Sequence, residues 1–377
     1  MLFQPPLLPR YRQLDNAALR AGIREFKQRL GKRLVILGHH YQQDDVIEFA
    51  DFTGDSLKLS QLAAQQRDAE YIVFCGVHFM AESADIVAGD KVVILPDLSA
   101  GCSMADMAHI DQIEEAWPQL TELAGAPLTP ITYVNSSAAV KAFVGRHDGA
   151  CCTSGNAKMV LEWALYGATP HEPATGHKVM FLPDQHLGRN TAYALGWPLE
   201  SMAVYDPKRP LGGLSPEQVH YARFLLWKGH CSVHQLFNTA QVDAIRALPE
   251  PYTVLVHPEC AWEVCQKADL MGSTEYIIRT VRDAPSGSYW AIGTEVHLIH
   301  RLAATQPDKH IRSLAGIQCL CTTMYRIDMR HLYWTLENLV EGRVVNQIRV
   351  DDETKRWSRV ALDRMLALRP AQPVSAK

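Results

Sequence analysis

Continuous apolar runs recur along the chain, and each ends in polar side chains that can titrate or form hydrogen bonds. The first run is LVILGHHY, Leu34 to Tyr41, whose unbroken aliphatic stretch predicts a parallel strand buried on both faces. Similar runs are ITYVNSS, Ile131 to Ser137, and TVLVHPE, Thr253 to Glu259. The recurrence predicts three copies of one structural unit.

Each run is followed by a helical pattern and by further predicted strands, which is the order of a βαβαβ unit. The middle strands and the turns after them are YIVFCGVHFMAE (Tyr71 to Glu82), GACCTSGNAK (Gly149 to Lys158) and ADLMGSTE (Ala268 to Glu275). The third strands end in an acidic residue and are KVVILPD (Lys91 to Asp97), KVMFLPD (Lys178 to Asp184) and SYWAIGTE (Ser288 to Glu295). We interpret KVVILPD and KVMFLPD as equivalent strands. The pattern predicts an α/β fold of three αβα sandwich units with parallel sheets.

These units define the predicted domains, because 377 residues exceed what one hydrophobic core normally supports. An N-terminal arm and helix occupy 1–33, with the helix from Asn16 to Leu30 and Asn16 as its N-cap. The sandwich units are assigned to 34–112, 113–237 and 238–318, and a stretch broken by proline and glycine at 197–216 is predicted to be an excursion from the second unit. The last part, 319–377, is expected to supply a cysteine loop, helices and a tail that pack back on the first unit.

Ligands of open parallel sheets bind off the carboxyl ends of the strands. If the three units are related by a pseudo-threefold axis and face inward, their strand ends surround one central site. The polar ends of the three apolar runs are therefore the first candidates for a functional site.

Composition argues against several other classes of protein. A hydrophobic fraction of 47% with 21% charged residues is typical of a globular protein. The net charge of −4 and the scattered Lys and Arg residues argue against a nucleic-acid footprint. No apolar run approaches the ~20 residues that span a bilayer, and the start MLFQPPLLPRYRQ lacks the pattern of a signal peptide. We therefore expect a cytoplasmic protein without membrane or nucleic-acid partners.

Nine cysteines, an odd number without an export signal, argue against a disulfide framework. Five of them suit burial as small hydrophobic side chains, although Cys260 and Cys265 also stand close to the spacing of metal ligands; the five are Cys75, Cys151, Cys152, Cys260 and Cys265. The other four lie in glycine-punctuated loops just beyond the predicted units, far apart in the sequence: Cys102, Cys231, Cys319 and Cys321. One loop cysteine per unit would converge on the pseudo-axis, where three thiolates could hold a metal.

Small hydroxylated residues occupy equivalent turns in the three units. Ser56, Ser154 and Thr274 each stand where a predicted strand leads into a helix. A helix N-terminus presents free N–H groups that bind carboxylates or phosphates, and simple helix capping is the alternative for each residue. Their recurrence in three units favours an anion site and hence an acidic, multiply charged substrate.

A series of motifs along the chain resembles the quinolinate synthase (NadA) family. The motifs are GHHYQQDDVIEFADFTGDSLKLS, GVHFMAESADI, LSAGCSMAD, YVNSSAAVKA, TSGNA, PDQHLGRN, GHCSVH, LVHPE, GSTE and CTTM. They cover nearly the whole chain from about Leu34 to Leu368 in the family's order. The resemblance implies three αβα units related by a pseudo-threefold axis, in agreement with the repeat.

The resemblance also implies a [4Fe-4S] cluster held by Cys102, Cys231 and Cys321, which leaves one iron without a protein ligand. Such an open iron can act as a Lewis acid on a hydroxyl or carboxylate. Cys321 is preferred to Cys319 because Cys321-Thr322-Thr323-Met324 occupies the family's C-x-x-M position.

The implied reaction is the condensation of iminoaspartate with dihydroxyacetone phosphate to quinolinate, phosphate and two waters, in NAD biosynthesis. The implied catalytic residues are His39, Tyr41, Tyr133 and Glu259. The implied substrate-binding residues are His39, Ser56, Tyr133, Asn135, Ser154, His257, Glu259 and Thr274. Functional coupling to an aspartate oxidase is a further expectation.

Two other functions compete with this interpretation. One is a zinc-dependent or cofactor-free lyase acting on a triose phosphate, with His39, His257 and Glu259 as ligands or bases. The other is a non-catalytic iron-sulfur sensor, which is disfavoured because the chain has neither a DNA-binding element nor a basic patch.

Overall fold

A computed structural model describes residues 4–66, 68–167, 177–316 and 319–368. The chain divides into two compact units, one formed by Met1–Asp106 with Ser232–Asp351 and the other by Met107–Cys231 with Asp352–Lys377. The predicted domain ends at residues 1, 318 and 377 lie outside the described residues.

Helices and strands alternate along most of the described chain. The strands are β1 (Leu34–His39), β2 (Phe52–Gly54), β3 (Tyr71–Cys75), β4 (Val92–Ile94), β5 (Leu128–Tyr133), β6 (Ala150–Cys152), β7 (Lys178–Leu182), β8 (Met202–Tyr205), β9 (Phe224–Trp227), β10 (Thr253–Val256), β11 (Leu270–Met271), β12 (Tyr289–Gly293), β13 (His310–Ser313) and β14 (Gln347–Ile348). The α-helices are α1 (Pro9–Gln13), α2 (Asn16–Leu30), α3 (Asp44–Ile47), α4 (Ser56–Gln65), α5 (His78–Val87), α6 (Ser103–Asp106), α7 (Ile110–Ala124), α8 (Ala138–Arg146), α9 (Ala157–Tyr166), α10 (Gln185–Ala194), α11 (Pro216–Tyr221), α12 (Thr239–Arg246), α13 (Trp262–Lys267), α14 (Thr274–Arg282), α15 (Val296–Thr305), α16 (Met329–Val340) and α17 (Asp352–Ala367). Short 3-10 helices lie at Gly31–Arg33, Leu199–Ser201, Pro210–Gly213, His234–Leu236 and Met324–Arg326.

The three sheets share one topology, which confirms the predicted α/β fold of repeated parallel-sheet units. Four parallel strands have the order β2-β1-β3-β4 in the first sheet, β6-β5-β7-β9 in the second and β11-β10-β12-β13 in the third. The first and third sheets belong to one compact unit and the second sheet to the other. The first sheet is extended by β14, antiparallel to β4, and the second by β8, parallel to β9.

This topology corrects the predicted equivalence of KVVILPD and KVMFLPD. KVMFLPD contains β7, the third strand in the repeated order, whereas KVVILPD contains β4, the fourth. The structural counterpart of β7 in the first sheet is β3. Both runs are short, apolar and end in Pro-Asp, so the local pattern does not distinguish a central strand from one nearer the sheet edge. Each sheet accordingly has four parallel strands in this order, rather than the three that were predicted for each sandwich unit.

The stretch at 197–216 is partly a continuation of the second sheet. Its strand β8 forms the sheet edge, and the Tyr205 ring at its end stacks on Trp227 with ring centroids 5.4 Å apart. The residues after β8 form the 3-10 helix Pro210–Gly213, in which Gly212 lies against the Tyr205 ring.

The N-terminal helix α2 and the C-terminal helix α16 pack on each other in the first compact unit. Helix α2 has the predicted bounds, but its N-cap is Asp15, whose carboxylate accepts a hydrogen bond from the Ala18 N–H at 2.8 Å. The residue immediately before the helix has the extended backbone conformation that N-capping requires.

The C-terminal segment is shared between the two compact units. Helix α16 and strand β14 belong to the first compact unit, whereas α17 packs on α8 and β6 of the second. The whole segment was expected to pack on the predicted sandwich unit 34–112. Gly145 permits the close contact of α8 with α17, because a side chain there would overlap the Trp357 carbonyl oxygen. Among the described residues, no helix is long and apolar enough to span a bilayer.

Candidate functional site

The carboxyl end of β1 carries a buried histidine. The Nδ1 atom of His39 accepts a hydrogen bond from the Tyr41 N–H at 3.1 Å, so the neutral tautomer holds its proton on Nε2. Burial, together with the neighbouring His40, lowers the pKa of His39 to about 3. His39 is therefore a neutral hydrogen-bonding group near pH 7.

Tyr41 links the end of β1 to two hydroxyl groups of the third sheet, within the first compact unit. Its phenol oxygen lies 3.0 Å from Oγ1 of Thr274, the first residue of α14. It lies 3.0 Å from Oγ1 of Thr294, which follows β12. Thr274 was predicted from the sequence and Thr294 was not, because a lone buried threonine after a strand has no distinctive motif.

Glu259, after β10, is a buried carboxylate between two imidazoles. Its Oε2 atom lies 3.1 Å from Nδ1 of His257 and 3.1 Å from Nδ1 of His234. Burial by itself raises the pKa of Glu259, but His234 and His257 together lower it well below its usual range. Burial, with His234, also lowers the pKa of His257. Among the described residues, the buried Oε1 atom of Glu259 has no hydrogen-bond partner.

The capping alternative is resolved for two of the three hydroxylated turns. At α4 the cap is Asp55, which accepts from the Lys58 N–H at 2.9 Å, and Ser56 is the first residue of the helix. At α14 the cap is Ser273, which accepts from the Tyr276 N–H at 3.3 Å. Ser56 and Thr274 therefore stand at helix N-termini without serving as the N-cap.

In the first compact unit, Glu275 at the start of α14 contacts Lys58 at the start of α4, and it also contacts His40. His40 Nε2 lies 3.0 Å from Glu275 Oε1, and Lys58 Nζ lies 3.9 Å from the same atom. The hydrogen bond from His40 is the main reason that the pKa of Glu275 is lowered. The motifs GHHY and GSTE contain His40 and Glu275, but sequence reasoning missed their contact because they are far apart in the chain.

The second compact unit holds the remaining predicted substrate-binding residues. Tyr133 is buried at the end of β5, and Ser154 lies in the turn after β6. Asn135 follows β5, and its buried Oδ1 atom has no hydrogen-bond partner among the described residues. Lys141 is fully buried in α8 and donates to the Ser136 carbonyl oxygen.

The acidic residues predicted at strand ends have mainly structural contacts. Asp184 caps α10 by accepting from the N–H groups of His186 and Leu187. Glu295 caps α15 in the same way, and its Oε1 atom lies 3.5 Å from the N–H of Cys321. Glu295 therefore also orients the start of a cysteine loop.

The three predicted cluster cysteines share one local structure. Each is followed within three residues by a short helical turn, which is α6 after Cys102 and a 3-10 helix after Cys231 and Cys321. Seven residues after each cysteine stands the N-cap of the next long helix, namely His109, Asn238 and Asp328. Cys102 and Cys321 belong to the first compact unit, and Cys231 ends a segment of the second.

The environment of Cys102 and Cys321 fits thiolate ligands of an iron-sulfur cluster. Burial raises the pKa of Cys102 to about 12, while the N–H groups of Ala105 and Met104 oppose that rise and the Cys321 sulfur adds to it. Burial also raises the pKa of Cys321, whose sulfur lies 3.5 Å from the Thr323 hydroxyl. Hydrogen bonds to sulfur are a feature of protein-bound iron-sulfur clusters, and metal binding releases the thiol protons.

The other six cysteines are buried. Cys75, Cys151 and Cys152 are fully buried in strands, as predicted. Cys260 and Cys265 are buried, and their sulfurs lie 3.7 and 3.5 Å from the carbonyl oxygens of Gly293 and Cys260. Cys319 is fully buried beside the more exposed Cys321.

Comparison with known proteins shows one family along nearly the whole chain. The family model described as quinolinate synthetase A protein matches residues 21–367. A quinolinate synthase of Acidobacterium capsulatum is 55% identical over 367 residues, which are 96% of this chain and 96% of that protein. A quinolinate synthase of Geobacillus kaustophilus is 54% identical over 361 residues, 95% of this chain and 96% of that protein. One of Rhodopirellula baltica is 52% identical over 377 residues, 97% of this chain and 94% of that protein.

Proposed function

Because the chain belongs to the quinolinate synthase family, whose members are enzymes of NAD biosynthesis, we propose that it condenses iminoaspartate with dihydroxyacetone phosphate. The products are quinolinate, inorganic phosphate and two molecules of water, which account for all atoms of the two substrates. The observation that carries this proposal is the buried Glu259 carboxylate, which has one oxygen between imidazoles and the other without a partner among the described residues.

Glu259 is the proposed base that removes a proton from the carbon next to the triose carbonyl. A general base must present an acceptor atom to that proton, and Oε1 is such an atom. Burial lowers the pKa of His257, so this imidazole is neutral near pH 7.

Tyr41, Tyr133 and His39 are the proposed hydrogen-bond partners of the reacting carbonyl and hydroxyl groups. The Tyr41 phenol is held by two threonine hydroxyls, which fixes its position before a substrate arrives. His39 is kept neutral by burial and accepts from the Tyr41 N–H, so its Nε2–H is the group left to donate. These groups polarise a carbonyl and assist departure of a hydroxyl as water.

The proposed anion-binding groups are hydroxyls and amides at helix N-termini. Ser56 and Thr274 begin α4 and α14 without capping them, and Ser154 precedes α9. Carboxylates and a phosphate are stabilised at such termini by N–H groups and the helix dipole. Asn135 and His257 complete the proposed substrate-binding set.

Cys102, Cys231 and Cys321 are the proposed ligands of a [4Fe-4S] cluster. When bound through three thiolates, such a cluster supplies an iron with an open position that acts as a Lewis acid toward a hydroxyl or carboxylate. The contribution of the chain is the set of three similar cysteine turns, with N–H groups around the sulfurs of Cys102 and Cys321.

The chemistry of the substrates also suggests a partner and a location. Iminoaspartate is an imine that water hydrolyses, so an aspartate oxidase that produces it close to this enzyme is the proposed functional partner. Nine free cysteines suit a reducing compartment, and we place the reaction in the cytoplasm.

The test is anaerobic purification followed by measurement of iron, sulfide and quinolinate formation from the two substrates. The proposal expects brown protein that bleaches in air and forms quinolinate. Colourless, zinc-containing protein that cleaves a triose phosphate without forming quinolinate would favour the lyase alternative and overturn the proposal.

A further inference from the structure

Two neighbouring glutamines that follow β1 form hydrogen bonds with the turn after a proposed cluster cysteine. The Nε2 atom of Gln42, which is completely buried, donates to the Met324 carbonyl oxygen at 3.1 Å. The Nε2 atom of Gln43 donates to the carbonyl oxygens of Tyr325 at 3.2 Å and Ile327 at 2.8 Å. These three hydrogen bonds join segments that are at least 282 positions apart in the chain and belong to the first compact unit.

The turn that accepts these bonds is residues 321–327, which we call the Cys321 turn. It contains a 3-10 helix of only three residues, Met324–Arg326. Within the turn, the Ile327 N–H donates to the Met324 carbonyl oxygen at 3.3 Å. The last carbonyl oxygens of a helix lack donors from the helix itself, and a helix this short is held mainly by partners outside it. The two glutamine amides supply such donors.

The glutamines themselves belong to residues 40–43, which we call the strand-end loop and which include Tyr41. Arg301 of α15 anchors the backbone of this loop, because it donates to the carbonyl oxygens of His40 at 2.8 Å and Gln42 at 2.6 Å. The strand-end loop is therefore fixed by α15 through its backbone and by the Cys321 turn through its glutamine side chains.

We propose that Gln43 is a positioning residue, whose amide fixes the strand-end loop, and with it Tyr41, relative to the Cys321 turn. This inference rests on the proposed function for the role of Tyr41 and for Cys321 as a cluster ligand. A glutamine suits the task, because its NH2 group has two donors, one for each of the two carbonyl oxygens. Coupling between two sites is reciprocal, so order in the Cys321 turn and order in the strand-end loop support each other.

The first test is amide hydrogen exchange, measured by mass spectrometry on anaerobic protein for peptides that cover 40–43 and 321–327. Gln43→Met keeps the approximate size of the side chain and removes both donors. Exchange in both peptides should therefore rise about 10-fold, in protein with the cluster and in protein without it. Wild-type exchange in both peptides of Gln43→Met would overturn the inference.

Removal of the cluster gives a readout that is specific for coupling. In the wild type, exchange should rise at 321–327 and, through Gln43, also at 40–43. In Gln43→Met, the further rise at 40–43 should be at most about half of the wild-type rise, whereas the rise at 321–327 should remain. Equal rises at 40–43 in the two proteins would contradict coupling through Gln43.

Kinetics test whether this contact matters for the reaction. Per bound cluster, Gln43→Met should lower kcat for quinolinate formation about 10-fold with KM within about threefold, because Tyr41 is less well positioned. Gln43→Lys keeps N–H donors at a similar reach and should restore most of the loss. A wild-type kcat in Gln43→Met, or equal losses in the two variants, would remove Gln43 as a positioning residue.

The matched control is Gln66→Met in the same compact unit. The Gln66 amide also donates to a carbonyl oxygen, that of Leu62 at 3.1 Å, but this partner is only four positions away in the chain. Gln66→Met should leave kcat and the exchange at 40–43 at their wild-type values. Changes equal to those of Gln43→Met would identify a general effect of removing a glutamine amide and would contradict the inference.

Iron analysis and the activity of the wild type separate this inference from the proposed function. If the wild type with its cluster forms no quinolinate but exchange rises in Gln43→Met, the proposed function fails and the fixing of the strand-end loop by Gln43 stands. If the wild type forms quinolinate and Gln43→Met keeps wild-type exchange, the inference fails and the proposed function stands. If the wild type binds no iron, the cluster ligands are wrong, and exchange in the cluster-free proteins decides the role of Gln43.

Discussion

The Nδ1 atom of His257 lies 3.1 Å from Oε2 of Glu259, and both side chains are buried at the end of β10. The Glu259 N–H lies 3.4 Å from the same nitrogen, but the carboxylate is the nearer and charged partner. This pair holds one carboxylate oxygen in place, and the other, Oε1, has no hydrogen-bond partner among the described residues. The strand end LVHPE thus contains both the carboxylate that we propose as the base and the imidazole that orients it.

Replacement of this carboxylate tests its assigned role. Glu259→Gln keeps the size of the side chain and removes the base, so kcat for quinolinate formation should fall by about 10²- to 10⁴-fold. Steady-state kinetics on anaerobic protein measure the change. Glu250→Gln, at an exposed position before β10, should retain the wild-type rate. Wild-type turnover by Glu259→Gln would remove Glu259 from the mechanism.

The buried His39 makes stability depend on pH. Its pKa is lowered to about 3 in the folded protein by burial and by His40, against ~6.5 in an unfolded chain. Between these values the unfolded chain binds a proton that the folded protein does not, so the free energy of unfolding falls as pH decreases below ~6.5. The slope for one such group is about 1.4 kcal/mol per pH unit.

Urea denaturation of the cluster-free protein at pH 7.5 and pH ~5.5 measures this dependence, and His39→Gln should reduce the difference between the two conditions by about 1 kcal/mol. His300→Gln, at an exposed position on α15, is the matched control and should retain the wild-type difference. An unchanged pH dependence in His39→Gln would show that the histidine is not held neutral in the folded protein.

The two neighbouring cysteines 319 and 321 are expected to differ in function. Cys321→Ser should lower bound iron and sulfide and abolish quinolinate formation, because a cluster ligand is lost. Cys319→Ala should keep both, because the Cys319 side chain is fully buried, whereas that of Cys321 is not. Iron and sulfide analysis together with the visible spectrum checks both variants. The reverse pattern would assign the ligand to Cys319.

The contact between α8 and α17 should depend on Gly145. A Cβ atom at this position would overlap the Trp357 carbonyl oxygen in the backbone of α17. Gly145→Ala should therefore destabilise the protein by about 1–3 kcal/mol, the usual cost of overpacking. Thermal or urea unfolding measures this cost. Gly316→Ala, where an added Cβ meets no atom within 4 Å, should be close to neutral, and equal effects of both would argue against the overlap.

Much of the fold follows from the local pattern of apolar residues, because strands that are buried on both faces have continuous apolar sequences. The runs at β1, β5 and β10 were correctly predicted to be parallel strands, and each pairs with a parallel strand on both sides. The pattern did not distinguish β4 from β3 as the counterpart of β7, and it assigned β8 to an excursion. Pairing between strands is decided by contacts across the sheet, which a single apolar run does not encode.

The sequence by itself determined which chemical groups this protein carries and, through its motifs, the family to which it belongs. It also placed His39, Tyr41 and Glu259 at strand ends and Ser56 and Thr274 at helix starts, because these positions follow from local periodicity and turn residues. Only the tertiary structure decided that Tyr41 meets Thr294, that His234 meets Glu259, and that Asp55 and Ser273 are the caps. The physical reason is that a hydrogen bond is fixed by distance and direction in space, and residues more than two hundred positions apart in the chain, such as Tyr41 and Thr294, have no local signal of their contact.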